Sequence, residues 1–316
     1  MKDKKYAKTI KEVVSTILFV VLIILILTVL QFITRDKTSS TMFDRFRQLD
    51  KDSVSVFFVG NSHSFCSIDT DLLYDRYGLD SFMLSAAGQS IAMSYYAIKE
   101  ACKYQKPETV YLEMSYAVHE WDVINDEMSH MFFDGMPLDS VKIEAVRDLI
   151  EEENRLSFYL PMLQFHSRFD SLNKEDYSFG DLSARGRFYS DSIWECEKTE
   201  FPEEFVPKDP PENIVKYMDL IVELCRENNI ELILYTVPYN PEAQGYNQQY
   251  YDDVCVYYGL SEYAAKNNLE YHNLFEEIDE IGIDYSKDFK DLQHFNCYGQ
   301  EKFTEYMVEK GYISVK

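Results

Sequence analysis

The longest apolar run in the chain comes first. Val13 to Ile33 (VVSTILFVVLIILILTVLQFI) is 21 residues without a formal charge. A helix rising 1.5 Å per residue would cover roughly 30 Å over that run, the hydrocarbon thickness of a bilayer. Helices of soluble domains are rarely apolar on every side, so the run predicts a transmembrane helix at 13–33. Its flanks set the orientation. Lys2, Lys4, Lys5, Lys8 and Lys11 precede it against Asp3 and Glu12, whereas Arg35 and Lys37 come after it with Asp36. That excess of Lys before the span makes residues 1–12 a cytoplasmic tail and sends the chain beyond Arg35 across the plasma membrane. A cleaved signal peptide is the competing reading. Signal cores are shorter and end at small residues, while this one runs long and ends in QFITRDK, so an uncleaved single-pass anchor is expected.

Past the span the pattern changes. Thr34 to Met42 is polar and reads as the start of a tether spanning 34–50, with the folded domain expected over 51–316. Val54 to Val59 (VSVFFV) is a short β-branched and aromatic run that predicts a buried strand. Similar strands are predicted at Phe82–Leu84, Thr109–Met114, Ile230–Val237 and Leu269–Leu274. Between them lie helical patterns: Ile68–Tyr77, the series Ile91, Tyr95, Ile98 and Cys102, and the stripe Ile214, Tyr217, Met218, Ile221, Leu224 and Cys225. Tyr246–Lys266 and Gly299–Lys310 complete the set, the last expected to bury Phe303, Tyr306 and Met307. Strands separated by helices of about a dozen residues pair in parallel through right-handed crossovers. The fold class is therefore α/β, a three-layer α/β/α sandwich around a mostly parallel sheet. Ser115 to Pro210 interrupts the alternation and reads as a cap beside the site, because loops at strand C-termini frame the crevice of open sheets. The plainer alternative is a decorative insertion.

Composition narrows the options. With 46% hydrophobic and 27% charged residues the chain can build a sizeable core. A formal charge of -24 argues against nucleic acid as a partner, since phosphate binding needs clustered Lys and Arg. The six cysteines contain no CxxC pair, and His119, His130, His166 and His272 lack metal-ligand spacing, so neither metal nor cofactor is expected. Cys225 falls on the apolar stripe and should be a buried thiol. The tyrosines dense from Tyr246 to Tyr263 read as helix packing rather than a sugar-stacking surface.

Two separated stretches carry the chemistry. Ser62 comes after the first strand in Gly60-Asn61-Ser62-His63-Ser64, where Gly60 permits a tight turn and backbone N–H groups can face a developing oxyanion. Alone, such a serine is as well explained as a helix cap. Near the other end, Asp291 and His294 are spaced to share a face of a helical turn. There Asp291 would orient the imidazole of His294, leaving its other nitrogen to deprotonate a serine. His63, beside Ser62, either touches substrate or orients the turn, and Asn296 is expected to brace the C-terminal turn.

In order and spacing these motifs resemble the SGNH/GDSL hydrolase superfamily over Val54 to Gly311. Gly60-Asn61-Ser62 is similar to its first block, Gly88 in SAAGQS to the second, and Asp291–His294 to the terminal DxxH. The resemblance implies a flavodoxin-like fold and a Ser62, His294, Asp291 triad, with N–H groups of Ser62 and Gly88 serving the oxyanion. Two departures stand out. Asn61 replaces the usual Asp, and the GxND block is missing, because the third strand runs into Leu112-Glu113-Met114-Ser115-Tyr116. GNSHS, SAAGQS and DxxHFN look closest to membrane-anchored relatives such as the alginate O-acetylation proteins and the D-alanine transfer protein of teichoic-acid synthesis. That branch implies an esterase or O-acyltransferase acting on an acylated cell-envelope glycan or teichoic-type polymer, with a membrane-bound acyltransferase as partner. An inactive accessory subunit that binds such a polymer or partner is the alternative.

Overall fold

The computed structural model describes residues 2–35, 42–119, 122–123, 126–180, 182–196, 204–238 and 248–315. Helix α1 (Lys2–Thr34) contains the apolar run, and its Tyr6–Thr34 portion is long and apolar enough to cross a membrane. A one-turn helix α2 (Met42–Phe46) leads to β1 (Val56–Gly60), α3 (Ser62–Ser67), α4 (Thr70–Tyr77) and β2 (Ser81–Ser85). Then come α5 (Ile91–Ala101) and β3 (Thr109–Glu113), succeeded by α6 (Asp126–Phe133), α7 (Ser140–Leu149) and α8 (Arg155–Tyr159). The chain ends with α9 (Glu212–Glu227), β4 (Glu231–Thr236), α10 (Gln248–Asn267), β5 (Glu270–Asn273), α11 (Ile278–Ile281) and α12 (Cys297–Glu309).

The five strands form one all-parallel sheet in the order β2-β1-β3-β4-β5. The runs of β1 to β4 are buried on both faces, which is why these strands read as continuous apolar stretches rather than alternating ones, while the edge strand β5 is only partly covered. Alternate residues still go to opposite layers. Phe57, Val59, Phe82, Leu84, Val110, Leu112, Leu232 and Leu234 point into the core shared with α5, α9 and α10. Val56, Phe58, Met83, Tyr111, Ile233 and Tyr235 point into the other core, with Leu73 of α4 and Phe303 and Met307 of α12. The result is the three-layer sandwich expected from the alternation. The helical stripe of α9 is buried, Cys225 included, except that Leu224 is only partly covered, and the six cysteines are free thiols. Tyr246 and Asn247, at the start of the predicted tyrosine-rich helix, lie outside the described residues.

Two local differences matter. Part of the stretch read as a tether is packed: Met42, Phe43 and Phe46 of α2 sit in the core, with Phe46 in ring contact with Phe57 and Phe82. A single turn is too short to show periodicity, so only burial reveals it. The insert also divides its labour. Its first half, α6 to α8 and the 3₁₀ turns at 161–163, 166–171 and 175–177, packs on α5 and on the end of α1. Its second half runs along the open edge of β2, where Met83 N–H donates to the Arg185 carbonyl at 3.0 Å. It then braces the loop before α12 through Trp194 N–H to the Phe289 carbonyl and Cys297 N–H to the Ser190 carbonyl.

Candidate functional site

The strand order places the candidate site. Successive connections leave β1 toward β2 on one side and, after the return through α5, toward β3 on the other, so the C-terminal ends of β1 and β3 flank the switch point where such sheets open a crevice. Gly60 ends β1 there. A Cβ at this position would stand 2.8 Å from the Glu113 Cβ and 3.2 Å from that of Ser64, so close approach of β1, β3 and α3 requires glycine. Asn61 caps α3, its side-chain oxygen accepting from His63 N–H at 2.8 Å, and Ser62 is the first helical residue. No pattern in SHSFCS predicts a helix over Ser62–Ser67, because the segment has no apolar period.

The opposing loop comes from the far end of the chain. Asn296 caps α12 and donates its amide to the carbonyls of Lys287, Ser192 and Phe289, at 2.6, 3.0 and 3.2 Å, the bracing role expected of it. Buried Asp288 accepts from Asp284 N–H at 2.7 Å and from Lys302 Nζ at 2.5 Å. On this framework Asp291 and His294 lie in a loop rather than on the helical turn their spacing suggested. Asp291 Oδ1 accepts from the N–H of Gln293 and His294, at 2.9 and 3.0 Å, forming an Asx turn that folds the side chains together.

Three groups then line up. His294 Nδ1 lies 2.8 and 3.1 Å from the two carboxylate oxygens of Asp291, and His294 Nε2 lies 2.8 Å from Ser62 Oγ. With Ser62 donating to Nε2, the imidazole carries its proton on Nδ1 and donates it to Asp291. Burial pulls the Asp291 carboxyl upward. The hydrogen bond and charge of His294, the Gln293 N–H and the Lys290 ammonium outweigh it and hold the group well below the usual carboxylate range.

Other predicted residues fall around this line. His63 is buried, with its ring 5.0 Å from that of His294, so it packs beside the imidazole. Burial, reinforced by His294, holds it well below the ordinary imidazole range, so it is neutral. Gly88 lies in the turn after β2 with φ +69, the left-handed region that favours glycine.

The structure adds residues the sequence did not single out. Tyr116, just past β3, has its side chain close to Ser62, and its ring meets that of His119 edge-on at 5.2 Å. Asn61 Nδ2 donates to Ser115 Oγ at 2.9 Å, and Ser115 donates its hydroxyl and its N–H to the two oxygens of Glu113, each at 2.8 Å. These residues occupy the stretch noted only for lacking GxND; the tyrosine and the acid at the end of a strand entering the crevice were the available signal. A cavity of about 180 Å³ lies beside the site, lined by Phe65, Ser85, Ala86, Leu182, Phe188 and Lys290 among others. Phe65 is one helical turn from Ser62, and Lys290 adjoins Asp291.

No protein-family model matches the chain, and no curated protein matches it. Among solved structures, the chain is similar to a crystal structure of a putative acylhydrolase from Bacteroides fragilis. The two are 12% identical, with 85% of this chain and 92% of that one covered and a TM-score of 0.41.

Proposed function

We propose that the chain is a membrane-anchored acyl-ester enzyme of SGNH/GDSL type, working outside the cytoplasm on an acylated cell-envelope glycan or teichoic-type polymer. The observation that carries this reading is the continuous hydrogen-bonded line from Asp291 through His294 to Ser62 Oγ. Ser62 Oγ attacks the ester carbonyl carbon and passes its proton to His294 Nε2. The ester C–O bond then breaks, and His294 returns the proton to the departing oxygen, leaving an acyl group on Ser62. Water or a polymer hydroxyl takes the acyl group in the second half, activated by the same imidazole. Asp291 fixes the tautomer and stabilises the imidazolium.

The oxyanion is served by the N–H groups of Ser62 and Gly88. The Tyr116 hydroxyl takes the place of the missing GxND side chain, lying close to Ser62. The cavity beside Phe65, at about 180 Å³, suits a short acyl group rather than a fatty chain. An anchor at α1 keeps the domain near substrates that are themselves tied to the envelope.

The test is fluorophosphonate labelling of the full-length protein. The wild type should label at Ser62 and Ser62→Ala should not. Tyr116→Phe should label about 10²-fold more slowly, as loss of one oxyanion donor costs a few kcal/mol in the transition state. A folded wild type that does not react would leave the accessory-subunit reading in its place. Unchanged ester content of the surface polymer in a Ser62→Ala strain would overturn the envelope substrate.

A further inference from the structure

The end of α1 is clasped by the insert. From Tyr6 to Ile26 the helix is exposed, whereas Leu27, Leu30, Gln31, Phe32 and Ile33 are partly covered and Thr34 and Arg35 are buried. The covering elements are the 3₁₀ turns at 161–163, 166–171 and 175–177. Phe179 meets the Phe32 ring edge-on at 5.4 Å, and Arg168 Nη1 donates to the carbonyls of Thr34 and Arg35 at 2.8 and 2.5 Å. The uncharged run of α1 nonetheless continues to Ile33. Protein therefore begins to cover the helix at Leu27, roughly 9 Å before its apolar run ends, at 1.5 Å rise per residue.

The same segment carries apolar side chains that are largely open to solvent. Leu163, Phe169, Tyr177 and Phe179 are 44%, 43%, 64% and 45% exposed, all on the segment that packs against the end of α1. Polar neighbours Asp170, Lys174 and Glu175 alternate with them. Large apolar and aromatic groups interleaved with charges suit the headgroup boundary, where a protein element sinks about 5–10 Å. Irregular backbone could not go deeper, because hydrocarbon leaves its N–H and C=O groups unsatisfied.

We infer that residues 161–179 form an apolar collar seated in the outer interfacial layer of the bilayer, around the point where α1 leaves it. The occupant of this surface is lipid, because these exposed apolar groups sit on turns that pack directly against the end of the apolar run of α1. The inference rests on reading α1 as a membrane span. The collar fixes the depth of the domain, and Lys8 and Lys11 at the other end of the helix snorkel to the opposite interface.

The test uses full-length protein in phosphatidylcholine nanodiscs whose acyl chains carry bromine either near the headgroup or near the chain end. Trp121→Phe and Trp194→Phe remove the native indoles, and a single tryptophan is restored as Phe169→Trp or as Ile24→Trp. Circular dichroism checks that each variant is folded. Phe169→Trp should be quenched by the shallow bromines and little by the deep ones, and Ile24→Trp the reverse. If Ile24→Trp is quenched and Phe169→Trp ignores bromine at either depth, the collar is wrong and the span stands. Absence of quenching at both positions would overturn the span as well.

Discussion

Glu113 ends β3 with no exposed surface, and its carboxyl accepts from the Ser115 hydroxyl and N–H and from the Val237 N–H. Burial outweighs these bonds and pushes it up to about 7. Asn61 and the Glu113-Met114-Ser115 stretch are thus one arrangement. Ser115 links Glu113 to Asn61, and an amide at 61 can donate to that serine and still cap α3, whereas an aspartate would bring a second carboxylate toward a buried acid. A raised carboxyl also fixes the sign of the pH dependence. Below about 4.5 the carboxyl is protonated in both folded and unfolded chains and costs nothing. Between that pH and about 7 the unfolded chain releases its proton while the folded chain keeps it, so stability falls as pH rises. Above about 7 the loss is complete, on the order of 3 kcal/mol. Glu113→Gln keeps the shape and removes the titration. Urea unfolding at about pH 5 and about pH 8 should show the wild type losing on the order of 2–3 kcal/mol more than the variant over that interval. Equal losses in the two proteins would show that this acid is not the source.

At the scale of elements, the close meeting of β1, β3 and α3 presents Ser62, and Gly60 is the residue that permits it. An alanine Cβ would press on Glu113 Cβ at 2.8 Å and Ser64 Cβ at 3.2 Å. Neither contact is the end of a flexible chain, so the elements must shift. Gly60→Ala should cost about 1–3 kcal/mol by overpacking and slow fluorophosphonate labelling at Ser62, both read on the same preparation. Wild-type stability together with wild-type labelling would refute the packing account. The same elements show what a sequence can reveal. Strands β1 to β4 have apolar centres because both faces are covered, so they were legible. The α9 stripe was legible from its period. Helix α3 was not: SHSFCS has neither period nor propensity, and it is helical because Asn61 caps it and β1, β2 and α12 pack around it. Asp291 and His294 were legible as a pair by spacing, but the Asx turn that joins them depends on backbone N–H direction, which spacing does not encode. Tyr116 and Ser115 lay in a stretch without pattern, and only the sheet order brings them to Ser62.

Across the whole molecule, the join between α1 and the domain decides how the candidate site is held. The polar stretch after Ile33 reads as a tether because charged and small residues usually mark one. Here two of its charges are buried instead: Arg35 pairs with Asp44 and donates to the Asp134 carbonyl, and Asp44 also accepts from Arg47 at 2.6 Å. Together with Arg168 on the last carbonyls of α1, these bonds weld helix to domain. On the proposed reading of α1 as a membrane span, this join would set the distance and tilt of Ser62 relative to the bilayer rather than leave the domain to wander. Arg168 is the group to remove, because its guanidinium holds Thr34, Arg35 and the buried Asp176 at once. Bonds to a charged donor are worth about 1.5–3 kcal/mol, reduced here because Arg168 is part-exposed to solvent. Arg168→Ala should therefore free the last turn of α1 by about 1–2 kcal/mol, raising hydrogen exchange at residues 30–35 roughly 5- to 30-fold in full-length protein. Amides of β1 and β3, held by the sheet, should exchange as in the wild type. Unaltered exchange at 30–35 would mean that the weld lies elsewhere; faster exchange in the sheet as well would mean that the arginine supports the whole fold.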